Sequence, residues 1–334
     1  MKLILILLPM ALLAAGVNTY IATRVALTPE DSLQMSKEAE DNVHQLEASL
    51  DGTPQGWQKL MLTAKKLYEL GRLATPGLLR LASSKSANPT IRKMAIEILR
   101  DLRDPRAIGP FTRIARDTTD AAGVRYNALY SVGDIGTDEA IDSLLVFLRS
   151  NELLLKEGAL SGIRGLPRDK DISRAFAPTA EIALEGDKAG LRGKAILALS
   201  AFGDRAIPLL IELLGSSDEH IRHKAIRALS GTGSASAVPP LTHMLSSNEQ
   251  SVRTSVILAL ADLGNPAAVP ALVRMLDRGG YDASNAARAL ATIGDRAALK
   301  PIRKMIDSSR ARGEEPDLPV LNAYRRLTNE PVHE

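Results

Sequence analysis

Apolar and small residues recur along this chain at offsets of three, four and seven, and the same stretch returns about every 30 residues: LRGKAILALSAFG, IRHKAIRALSGTG, VRTSVILALADLG and ASNAARALATIG. Those offsets define one face of a helix. The copies close on Gly203, Gly233, Gly264 and Gly294, and Gly136 closes an earlier one. A glycine just past a helical pattern is a C-cap signal, because it reaches the left-handed backbone region without a Cβ penalty. A period of this length predicts a stacked array in which each unit buries its apolar face against its neighbours.

Counting back eleven residues from the turn glycine registers the copies on Leu60, Arg92, Arg125, Lys156, Arg192, Arg222, Arg253, Ala283 and Val320. Three residues later comes a small side chain in most copies, such as Ala95, Ala128, Ala195 and Ala225, and seven later an aliphatic, such as Leu99, Val132, Leu229 and Leu260. A second helix follows each glycine, as in RAIPLLIELL, AVPPLTHML and AAVPALVRML. Its early proline is tolerated because the first N–H groups of a helix lack intrahelical partners. Polar turns such as Ser216-Ser217-Asp218 and Ser246-Ser247-Asn248 lead to the next copy. The expected fold is all-α, a right-handed α-solenoid of about eight or nine helical hairpins over residues 57–334.

Composition agrees with that class. Hydrophobic residues make up 45% and aromatics only 3%, so the core must be built from Leu, Ile, Val and Ala. So few aromatics argue against a tight aromatic interface and against base stacking on nucleic acid. The net charge of +3 in 334 residues is also too small to imply a nucleic-acid partner. Without cysteine there is no disulfide, thiolate chemistry or cysteine-based metal site.

The first 24 residues read as an export signal or a single-pass membrane anchor: Lys2 precedes an apolar run from Leu3, and the hydrophobic stretch reaches about residue 22. Either alternative places the repeats in the periplasm or another extracytoplasmic space, with the membrane touched only through this segment. Residues 28–56 are acidic, with Glu30, Asp31, Glu38, Glu40, Asp41, Glu47 and Asp51 against Lys37. Their thin apolar stripe predicts a solvated helical spacer.

The aliphatic-Arg pairs Leu191-Arg192, Ile221-Arg222 and Val252-Arg253, each followed by a small residue, a Leu and the turn glycine, resemble the short HEAT-like repeats named for phycobilisome lyases. The resemblance covers roughly Trp57 to Glu334. It implies the solenoid and leaves function open, since such repeats serve lyases, hydroxylases and adaptors. The related deoxyhypusine hydroxylases use His-Glu pairs within the repeats to hold iron, whereas the one adjacent pair here is the terminal His333-Glu334. No cofactor and no metal are therefore expected, and the histidines His220, His223 and His243 read as surface residues.

The recurring arginines Arg92, Arg125, Arg192, Arg222 and Arg253 are expected to tie each repeat to the adjoining turn and its Asp and Asn residues. Twenty-one residues after the marker, on the solvent side of the second helix, His243, Arg274 and Lys304 stack in consecutive repeats. The resemblance implies that second helices line the concave face, which makes these three the expected contacts for another protein of acidic character. The rhythm breaks between Lys156 and Arg192, where the charged stretch GIRGLPRDKDISRAFAPTAEIALEGDKAG adds residues. The expected function is a non-enzymatic protein-binding scaffold. A lyase- or isomerase-type subunit holding a small molecule against a protein is the alternative.

Overall fold

The computed structural model describes residues 29–49, 53–185 and 189–328. The leader (1–24), Thr28, Leu50 to Gly52 and His333-Glu334 lie outside them. The described residues are helices joined by short turns, with no strand among them. They run α1 (Pro29–Ala48), α2 (Pro54–Leu70), α3 (Thr75–Ser83), α4 (Pro89–Asp101), α5 (Ile108–Arg116), α6 (Ala122–Ile135), α7 (Asp138–Leu148), α8 (Leu153–Gly165) and α9 (Ser173–Glu185). They continue as α10 (Ala189–Ala198), α11 (Ile207–Leu214), α12 (Glu219–Gly231), α13 (Val238–Met244), α14 (Gln250–Leu263), α15 (Val269–Leu276), α16 (Gly280–Ile293), α17 (Leu299–Ala311) and α18 (Leu318–Thr328). The chain divides into two compact units between Ala175 and Phe176, inside the interval where the repeat rhythm breaks.

Local chemistry explains where helices begin and end. Thr53, Asn88, Thr137 and Asp218 cap their helices by accepting backbone N–H bonds at 3.0, 2.8, 3.2 and 2.8 Å. Gly136, Gly203, Gly233, Gly264 and Gly294 all take positive φ at the turn that follows a first helix. Gly136 needs the absence of a side chain twice over, since a Cβ there would also lie 2.5 Å from Pro167. Arg103 stands at the equivalent position in the second copy and takes φ 47° without being glycine. After the turn, Asp104, Ser234, Asn265 and Asp295 each accept the N–H two residues on and start a short 3-10 segment that runs into the second helix.

Within each unit the helices form two layers. First helices α4, α6 and α8, then α10, α12, α14, α16 and α18, pack along one another closely, whereas α2 touches α4, and the second helices touch one another, only sparsely. Small residues are the cause. Ala95, Ala128, Ala159, Ala195, Ala225 and Ala286 are fully buried on the first helices, and α6 and α8 approach so closely that a Cβ on Gly133 would lie 1.9 Å from the Gly162 carbonyl oxygen. The second helices instead contribute bulky side chains such as Phe111, Leu144, Leu210, Leu241 and Leu272. The crowded layer of each unit is thus made of first helices.

The acidic segment expected as a spacer is a docked helix. Ala39, Val43 and Leu46 of α1 are buried against α2 and α3, and Glu40 pairs with Arg80. Gly77 leaves the room for this, because a Cβ there would meet Val43 Cγ2 at 3.0 Å. The acidic face of α1 points to solvent while its thin apolar stripe closes the end of the first hairpin.

Two substitutions follow from this packing. Gly133→Ala should destabilise unit 1 by about 3 kcal/mol, because the methyl group meets backbone that cannot rotate away. Arg103→Gly should stabilise it by about 1 kcal/mol by relieving a left-handed non-glycine residue. Urea unfolding of both variants checks the signs.

Candidate functional site

The arginines of the marker column are links between repeats, buried at Arg92, Arg125 and Arg253 and partly buried at Arg192 and Arg222. Arg92 donates Nε–H to the Ala82 carbonyl oxygen at 2.9 Å, and its two terminal nitrogens grip both oxygens of Asp120 at 2.6 Å. Both side chains are almost fully buried, at 3% and 4% exposure. Arg125 repeats the pattern with the Ala115 carbonyl at 2.9 Å and Glu152 at 2.7 Å. In unit 2, Arg192 reaches the Ala183 carbonyl at 2.9 Å. Arg222 donates to the Ser216 and Ser217 carbonyls and to Glu249 at 2.6 Å. Arg253 donates to the Ser247 and Asn248 carbonyls and to Asp282 at 2.7 Å.

Each guanidinium therefore joins the end of the preceding second helix, or the turn after it, and where a carboxylate partner is seen that group comes from the start of the following repeat. Cations at helix C-termini and carboxylates at N-termini are each favoured by the helix dipole. The Arg92 bonds hold the Asp120 carboxyl below its ordinary range, and Arg125 does the same to Glu152. The partner atoms differ from the expected side chains. Asp218 caps its own helix, Asn248 contributes its backbone carbonyl, and the acids that pair with arginine are Glu249 and Asp282.

His243, Arg274 and Lys304 lie exposed on α13, α15 and α17, one per repeat. Acids accompany them on the same helix ends: Asp277 is exposed and Asp307 pairs with Arg303 at 3.8 Å. Leu213, at the same interval from its marker, is buried, and its exposed counterpart is Glu212. Gly203 takes φ 54° and ψ −133° instead of the left-handed helical values of Gly264 and Gly294, which shifts that second helix by one position.

A denser set of polar groups sits on the outward side of the first-helix layer in unit 1. Buried Tyr68 on α2 donates its hydroxyl hydrogen to Asp101 Oδ2 at 2.8 Å. Arg100 Nε lies 2.9 Å from Asp101 and 3.4 Å from Asp134, and its guanidinium carbon stands 5.8 Å from the Tyr130 ring centre. The Tyr126 and Ser161 hydroxyls are 2.7 Å apart, and Asn127 donates to the Lys93 carbonyl at 3.4 Å. Burial raises the Tyr68 hydroxyl, and the Asp101 charge adds to the effect. Burial likewise pushes the Glu97 and Asp134 carboxyls above their ordinary range against the pull of Arg100, and raises the Tyr130 hydroxyl.

Sequence reasoning missed this set because it followed the column twenty-one residues after the marker. The informative columns are five and nine residues after it: Glu97, Tyr130 and Ser161, then Asp101 and Asp134. The low aromatic content also misled, since Tyr68, Tyr126 and Tyr130 are concentrated on one face.

Unit 2 brings Ser255, His223 and Glu219 into a line, with Ser255 Oγ 2.7 Å from Nδ1 and Glu219 Oε1 3.2 Å from Nε2 of His223. Ser255 lies in the interior of α14, where backbone N–H groups are spent on the helix, so none is free to stabilise an oxyanion. The line is a cross-repeat hydrogen bond. Among the described residues no three His, Asp or Glu side chains converge to hold a metal ion, and no helix is long and apolar enough to cross a membrane.

The profile for HEAT repeats matches residues 75–164, 177–254 and 231–284, and that of the PBS lyase HEAT-like repeat matches residues 283–308. No curated protein sequence matches the chain. Among solved structures, human deoxyhypusine hydroxylase in complex with glycerol is 19% identical, with 90% of this chain and 98% of that chain covered and a TM-score of 0.37. The complex of CpcE and CpcF of phycocyanin lyase from a Nostoc species is also 19% identical, covering 76% and 94% with a TM-score of 0.44. Kap121p is 12% identical, covering 91% of this chain and 39% of that one, with a TM-score of 0.56.

The raised carboxyls give the site a pH signature. A carboxyl whose folded value lies above its unfolded one contributes stability present below the unfolded value and lost as pH rises through the folded value. Asp134→Asn and Glu97→Gln should therefore each raise the urea midpoint of unit 1 at neutral pH, and the gain should shrink once the pH falls below about 4. Paired urea titrations at acid and neutral pH measure this.

Proposed function

The chain belongs to the HEAT-repeat family, and from that premise we propose that it is a non-enzymatic scaffold which binds another protein through the outward face of its first-helix layer. The observation that carries this is the gathering of Tyr126, Tyr130 and Arg100 on one partly exposed face of unit 1, beside the buried Tyr68–Asp101 bond. Tyrosine and arginine are the side chains that most often dominate binding energy, and a rigid helical layer presents them at little entropic cost. The ladder arginines are buried in structural bonds, which leaves this face as the polar surface with chemistry to spare. A structure of Kap121p bound to Pho4p shows a related fold with a protein ligand, and a protein is the ligand class proposed here.

The exposed cations His243, Arg274 and Lys304 fit a secondary role in this reading, steering an acidic partner rather than anchoring it. The apolar run of residues 3–22 supports placing the scaffold outside the cytoplasm, as an exported or membrane-anchored protein. Reading the mature N-terminus checks the leader.

Capture of a defined polypeptide by the tagged chain tests the binding proposal. Tyr126→Ala with Tyr130→Ala should weaken that capture at least tenfold, at about 1.4 kcal/mol per factor of ten. Reversing Arg274 and Lys304 should change mainly the association rate and its salt dependence. Recovery of a bound pigment or metal with no polypeptide would refute the proposal.

A further inference from the structure

Unit 2 carries a groove used by neither the arginine ladder nor the tyrosine face. It lies between α16 and α18, in the same first-helix layer, and encloses about 330 Å³. Ala291, Pro319 and Ala323 supply an apolar lining, and Leu318, 64% exposed, is an apolar wall. Arg288 and Arg326 flank it, and both are exposed. One terminal nitrogen of Arg288 is held by the side-chain oxygen of Asn285, which is itself buried. Neither guanidinium has a carboxylate within ion-pair distance among the described residues.

The contrast with the ladder is informative. Where an arginine holds repeats together here, its carboxylate is supplied by the next repeat, as Asp120 and Glu152 show. Arg288, apart from the nitrogen that Asn285 holds, and Arg326 have no ion-pair partner among the described residues and stand beside an apolar lining. Such a lining lowers the local dielectric and strengthens any carboxylate contact made over it. The surface continues in register, since Arg227, Leu258 and Arg288 occupy the same position in three consecutive repeats and Leu258 is 52% exposed. Adjacent first helices lie about 10 Å apart, so a bound segment meets cation, apolar group and cation in turn.

The geometry points to an anchoring site for an acidic side chain borne on an apolar segment of the protein partner, with Arg288 and Arg326 as its carboxylate clamp. This rests on the scaffold function proposed above and names the chemistry of the partner. Two planar forks suit a carboxylate, which each guanidinium can meet through paired N–H bonds.

Fluorescence anisotropy of a short labelled peptide of alternating leucine and glutamate, titrated with the full chain, tests the clamp. Arg288→Gln and Arg326→Gln should each weaken binding about tenfold. A glutamine-for-glutamate peptide should not bind. Both clamp residues are exposed, and circular dichroism confirms that the variants fold. Equal binding by wild type and the double clamp variant would overturn the inference, as would displacement of the peptide by an equal concentration of inorganic phosphate. The two proposals separate cleanly. A captured polypeptide retained undiminished by the double clamp variant removes the clamp and leaves the scaffold, whereas peptide binding without any captured polypeptide removes the scaffold and leaves the clamp.

Discussion

The buried contact between a marker arginine and a carboxylate of the next repeat is the constraint on which the rest of the molecule depends. Arg92 and Asp120 are nearly inaccessible to water, and removing two charges from water is costly unless every donor and lone pair is met. Here all three nitrogens and both oxygens are engaged: Nε serves the Ala82 carbonyl, the fork serves both Asp120 oxygens, and Asp120 Oδ1 also accepts the Ala121 N–H at 2.7 Å. One side chain thus ties together α3, α4 and the turn before α6. A hydrophobic contact could slide by a turn, whereas this fork has one register. The small residues beside it, Ala95 and Ala128, then let the first helices close up.

Using the buried arginines in this way separates structure from function. Side chains three and seven residues after the marker face the core, and those five and nine after it face outward. In unit 1 the outward positions hold tyrosine and carboxylates, with Glu97 and Asp134 kept partly from water in spite of their charge. In unit 2 they hold Arg227, Leu258 and Arg288. The backbone is the same device in both units, and the chemistry it presents differs. Half-buried carboxylates that weaken the fold are what a binding surface on a stable scaffold would carry.

The fold was legible because its signals are local and repeated. Turn glycines, capping residues and the offsets of three and seven all lie within one hairpin, so the copies of the motif reinforce one another. The ladder was half legible. Arg222 and Arg253 stood out, but their acids, Glu249 and Asp282, lie in the following copy, and the nearer Asp218 and Asn248 drew attention instead. The tyrosine face was not legible, because Tyr68, Arg100 and Tyr130 lie in three repeats and are joined only across repeats, through Asp101 and Asp134.

A double-mutant cycle on Arg92 and Asp120 tests most directly whether the ladder sets the array. Arg92→Met and Asp120→Ala, each alone, should destabilise unit 1 by about 3 to 5 kcal/mol by leaving an unpaired buried charge. The double variant should cost much less than the sum, which reports the coupling. Single variants that cost less than about 1 kcal/mol and simply add in the double would contradict the account, because such a pair behaves like an exposed surface ion pair.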